Sequence, residues 1–120
     1  MANPNLLSLS AIYGLNSGVS VTSTSPTTIL NNPSASGKLL KVNHVRVTNN
    51  SGTSVATFSV TFTETSGSVN IASNMTVSVG GSIVVVDKES YVYLDENSSL
   101  SITSSDTTPI DIFVSYEELS

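Results

Sequence analysis

The chain of 120 residues has no cysteine and no tryptophan, one histidine, and only four lysines and arginines together. Without cysteine there is no disulfide framework, no thiol nucleophile and no thiolate metal ligand, so stability has to come from packing, to which association between copies can add. Nine acidic residues against four basic ones give a net charge of -5 and an isoelectric point near 4.4. Too few cations are present to neutralise a nucleic-acid backbone or to hold an anionic membrane, and neither is expected as a partner. No apolar run approaches the roughly 20 residues of a membrane-spanning helix. The opening MANPNLLSLSAIYG has neither a basic region nor a long enough apolar stretch for a secretory signal, which predicts a protein made in the cytoplasm and used without export. Charged residues amount to 11% and hydrophobic ones to 38%, both low for a globular domain. Serine and threonine fill the gap with roughly a third of the chain, suiting half-exposed strands and turns.

What is there is periodic, which argues for a folded chain and confines expected disorder to an N-terminal arm. The clearest run closes the sequence: Ile110, Ile112, Val114 and Tyr116 alternate with Asp111, Phe113, Ser115 and Glu117, the pattern of a half-buried strand. Ala56, Phe58, Val60 and Phe62 alternate with Ser and Thr in the same way, and both phenylalanines read as core. In Lys38 to Asn49, Leu40 and Val42 share one parity and Val45 and Val47 the other, so the phase slips near Asn43 and His44. A bulge there, or a strand covered on both sides, accounts for the slip. Val69 to Val79 keeps one parity as one long strand or two joined at Asn74, and Gly80-Gly81 reads as a hairpin turn before Ile83 to Val86. Strands follow at Tyr91 to Leu94 and at Leu100 to Ile102.

About eight strands at spacings of roughly 8–12 residues, with no helical period between them, predict an all-β antiparallel sandwich, either jelly-roll or immunoglobulin-like. One domain is expected over residues 16–120, behind an extended arm over residues 1–15. The arm carries Leu6, Leu7, Leu9, Ile12 and Tyr13 without a clean period, and a neighbouring molecule is the natural place for such a segment to dock.

Candidate chemistry is sparse. His44 has no second histidine and no cysteine to share a metal with, and no G-x-S-x-G elbow accompanies the many serines. The acids Asp87, Glu89, Asp95, Glu96, Asp106 and Asp111 sit near turns at spacings that match no calcium-loop pattern. No catalytic, cofactor or metal residues are assigned, and no enzyme is expected. Asn49-Asn50-Ser51, Asn74-Met75-Thr76 and Asn97-Ser98-Ser99 match the glycosylation triplet but read as turns in so Asn- and Ser-rich a chain. Tyr91 and Tyr93 share a strand face beside acidic turns, either as an interface pair with wet hydroxyls or as a platform for sugar rings.

Several phrases together resemble a family. MANPN with its apolar arm ending in Ile12-Tyr13-Gly14, Ser36-Gly37-Lys38 leading into Val42-Asn43-His44-Val45, Val84-Val85-Val86-Asp87-Lys88 before Tyr91-Val92-Tyr93-Leu94-Asp95-Glu96-Asn97, and the closing Val114-Ser115-Tyr116-Glu117-Glu118 are similar to small virion structural proteins of tailed bacteriophages, those of cyanobacterial hosts in particular. The resemblance implies a non-enzymatic head decoration or cement protein. It would be a homo-oligomer such as a trimer, bound to the major capsid protein at the surface of the virion, with Leu6, Leu7, Leu9, Ile12 and Tyr13 in the tether. A low-copy neck, tail or fibre adaptor is the alternative within that family. A carbohydrate-binding module for host attachment, using Tyr91 and Tyr93, is the alternative from another class.

Overall fold

The computed structural model describes residues 3–120. Nine strands appear among them: β1 (Ile12–Val21), β2 (Thr27–Asn32), β3 (Leu39–Asn49), β4 (Ala56–Glu64), β5 (Gly67–Val77), β6 (Ser82–Val86), β7 (Val92–Leu94), β8 (Ser98–Ser104) and β9 (Ile110–Leu119). All pairings are antiparallel. One sheet runs β1-β9-β3-β6 with β7 also on β3, and the other runs β2-β8-β4-β5. β1 pairs with β9, β2 with β8, β3 with β6 and β7, and β4 with β5. The chain is therefore a doubled ribbon whose tip is the β4–β5 hairpin, wrapped so that alternate ribbon segments fall in opposite sheets. That is a jelly roll, one of the two sandwiches the strand spacing predicts.

The core forms where the alternating faces meet. Leu40, Val42, Val45 and Val47 of β3 are all buried although their parity changes midway. The pairing of β3 with β9 shifts between Val42 and His44, and this one-residue bulge at Asn43 returns both halves to the same face. The break also divides β3's other neighbour, since β7 covers its first half and β6 its second. From the facing sheet Phe58, Val60, Leu100 and Ile102 complete the core, each of these large side chains contributing about 1.5–3 kcal/mol when fully buried.

Two buried asparagines fasten opposite ends of the roll. Asn32 donates from Nδ2 to the carbonyls of Lys38 (2.9 Å) and Leu94 (2.8 Å), and its Oδ1 accepts from Ser36 Oγ. Asn49 donates to the carbonyls of Ser54 and Val77, and its Oδ1 accepts the Ser51 N–H. The other two glycosylation-like asparagines also serve the backbone: Asn74 and Asn97 hold positive φ angles of 50° and 65°.

Two local expectations are corrected. Gly80-Gly81 is not a hairpin turn, because β5 and β6 lie in different sheets. The Gly81 N–H donates to the Ser78 carbonyl and Gly80 takes the left-handed conformation (φ 67°) that a side chain would resist, so the pair carries the chain from one sheet to the other. Strand pairing also begins at Ile12, inside the segment expected as an arm, since Ile12 to Leu15 are already laddered to β9.

Candidate functional site

The described N-terminal segment forms a local turn and is then tied to the C-terminal end of the chain. Asn5 organises a turn in which its side-chain oxygen accepts the Leu7 N–H (2.9 Å) and its carbonyl accepts the Ser8 N–H (3.0 Å). Further on, the Ser10 and Ala11 N–H groups donate to the Ser120 carbonyl, and the Ser120 N–H returns a bond to Ala11. Leu6 and Leu7 thus stand at the corner of a small internally bonded turn that is tied to the domain on its C-terminal side. Leu7 is 96% exposed, and Leu6, Ile12 and Tyr13 are exposed as well. Leu9, grouped with them on sequence grounds, is partly buried.

Tyr91 and Tyr93 do come together at the start of β7, with ring centroids 5.3 Å apart and planes at 79°. The Lys41 ammonium sits 4.5 Å above the Tyr91 ring, a contact between residues far apart in the chain that no local pattern announces. Edge-to-face rings with one face under a cation do not present the coplanar platform on which a sugar chain stacks.

The outer face of the β1-β9-β3-β6 sheet holds a second polar and aromatic group that the sequence pattern alone did not assemble. Register places Gly18, Phe113 and Arg46 in one row and Ser20, Asp111 and Thr48 in the next. An open groove of about 400 Å³, with Gly18 in its lining, runs beside them. Arg46 lies over the Phe113 ring at 5.4 Å, and His44 meets the same ring edge-on at 6.1 Å. Asp111 accepts from Ser20 Oγ (2.6 Å) on one oxygen and from Asn50 Nδ2 on the other. These bonds, that from Ser20 foremost, hold its carboxyl below the usual aspartate range. A carboxylate so satisfied fastens β1 and the β3–β4 loop to β9 and is poorly placed to take a proton from a substrate.

The remaining acids are spread over separate turns. Asp87 lies below its ordinary value because the Ser90 hydroxyl and N–H, and then the Glu89 N–H, bond to its carboxylate. Asp106 is lowered by Thr108 in the same manner. Glu96 is buried and accepts the Gly37 N–H at 2.7 Å. Among the described residues, no group of three or more His, Asp or Glu side chains is placed to hold a metal ion.

No family model and no curated protein matches the chain. Among solved structures it is similar to the N-terminal CBM22-1–GH10 modules of endo-1,4-β-D-xylanase 10B from Clostridium thermocellum, complexed with xylohexaose. The identity is 14% over 91% of this chain and 24% of that one, with a TM-score of 0.35. This chain therefore spans about a quarter of that chain's length, and a likeness so loose carries no argument about what either molecule does.

Proposed function

We propose that this jelly roll is a non-enzymatic assembly protein of a bacteriophage particle, a decoration or cement subunit that binds the outer shell through its N-terminal turn. One observation carries the reading: Leu6 and Leu7 are pushed into solvent at the corner of an organised turn, Leu7 almost completely, while the strand that follows leaves Ile12 and Tyr13 uncovered. An apolar pair displayed at the corner of a hydrogen-bonded turn gains nothing for the isolated chain and gains burial free energy on a partner. Support also comes from the sequence resemblance to virion structural proteins and from a fold that viral shell proteins use, though lectin domains and cupins use it too. Many weakly held copies on one shell would resist internal pressure collectively through mass action on the assembled state.

Quantitative mass spectrometry of purified particles tests this. Hundreds of copies against the major capsid protein support decoration, a dozen or fewer move the protein to the neck, tail or fibre, and absence from particles ends the virion reading. A Leu6→Ser, Leu7→Ser double variant should bind emptied shells at least about 10-fold more weakly than the parent chain if the turn is the contact.

A further inference from the structure

The first charged side chain in the sequence is Lys38, and no charge occurs between Glu64 and Asp87. A chain of net charge -5 thus builds β1, β2, β5 and β6 without one charged residue. Together with the three-residue β7, which shares the β6 side of β3 and is also uncharged, these four strands are the edges of the two sheets. Monomeric sandwiches generally do the opposite, blunting edges with Lys, Pro, bulges or short strands, because an open edge offers its backbone donors and acceptors to any other strand.

Three of the edges carry such a device. β5 shifts register against β4 twice, and Asn74 bends it with a left-handed φ. β2 has six residues and an irregularity between Thr28 and Leu30, and β6 has five residues. β1 has none. Its ten residues pair one to one with β9 from Ile12↔Leu119 to Val21↔Ile110, without a shift, a proline or a charge, and it is exposed on both faces from Ile12 to Gly18.

We infer that the free edge of β1 pairs antiparallel with β1 of a second copy of this chain, joining two β1-β9-β3-β6 sheets into one continuous sheet. The absence of charge selects the occupant. A strand recognised by a charged partner would carry the opposite sign, whereas a strand that meets its own copy has only to avoid repelling itself. β1 itself has no charge to bring against its copy, and the acids nearest to it, Asp111, Glu117 and Glu118 of β9, stand one strand in from the edge and are bonded to Ser20 and Asn50, to Asn43 and to Lys38 respectively. A two-fold axis through Ser17 keeps the faces in phase. Leu15 then lies opposite the partner's Val19 and Tyr13 opposite the partner's Val21 on the core side, while on the outer side Asn16 meets the partner's Gly18 and Gly14 the partner's Ser20. Apolar faces apolar, and small faces small. The pairing deepens the assembly reading by naming one partner of the same flank, and it replaces the trimer implied by resemblance with a dimer.

The test needs no particles, so it can fail or succeed separately from the virion assignment. Sedimentation of the full chain over a dilution series should show a dimer. Ser17→Lys, which sets two ammonium groups face to face at the axis, should raise its Kd by about 100-fold or more while the circular dichroism stays that of the parent. Because the chain lacks cysteine, Ser17→Cys should give a covalent dimer on oxidation even if the lysine variant folds poorly. A wild-type monomer at every concentration overturns the proposal. So does a dimer that persists in a folded Ser17→Lys variant, a dimer whose Ser17→Cys form fails to cross-link, or one that dissociates with Asn70→Lys in β5 and not with Ser17→Lys.

Discussion

β1 and β9 are hydrogen-bonded to one another over the whole length of β1, yet one is exposed along most of its length and the other buries Ile110, Ile112 and Val114. The ladder is the same for both, so the difference isolates what packing adds. β9 lies between β1 and β3 with the second sheet beneath it, and its side chains alternate accordingly. β1 has one neighbour and a cover only at its end, where Val21 is buried. Hydrogen bonding shapes an edge strand, while burial supplies most of the free energy that keeps a central strand in place.

The contrast can be broken most severely from the β9 side. Ile112→Ala should cost about 2–5 kcal/mol in urea unfolding, because it opens a cavity in the middle of the core. Asn49→Ala comes next, with an expected loss of roughly 2 kcal/mol, since the carbonyls of Ser54 and Val77 lose their donor in a buried setting. Across the ladder, Leu15→Ala should cost the monomer less than about 1 kcal/mol, and a larger loss at dilutions where the chain is monomeric would show that β1 is packed against more than β9. Gly18→Ala should raise stability by up to about 1 kcal/mol: its φ is not in the left-handed region, and an added Cβ would find only the Ile112 carbonyl at an ordinary 3.7 Å. The smallest effect is acid. Asp111 has a folded-state pKa below its ordinary value, so its contribution is complete above about pH 4 and lost as pH falls through the folded value. Tm should therefore decline only below about pH 4, and Asp111→Asn should flatten that decline slightly.

The same contrast explains what was legible. Strands that bury one face wrote their period into the sequence, as β4 and β9 did, and even the bulge in β3 left its mark as a change of parity between Val42 and Val45. β1 wrote its period more faintly: Tyr13, Leu15, Val19 and Val21 share one parity, but Ser17 interrupts it, Ile12 falls on the other, and only the Val19 to Val21 end meets the core. The sheet order and the crossing at Gly80-Gly81 depend on which face each ribbon segment meets, which local pattern does not encode. Leu6 and Leu7 were readable from type and place as an apolar pair of the N-terminal segment, and both are exposed. The Lys41–Tyr91 contact and the row formed by Gly18, Phe113 and Arg46 were not, since each joins residues distant in the chain through strand register.

The doubled ribbon also sets an order of events in time. The β4–β5 tip closes across a tight turn, whereas Ile12 reaches Leu119 only after almost the entire chain has been brought round. Loop-closure entropy makes the tip the natural place for folding to begin and the β1–β9 pair the place for it to finish. The last strand to arrive is also the least protected, so β1 should exchange its amide protons faster than β9 in the monomer, and the joining of two copies would stop that clock.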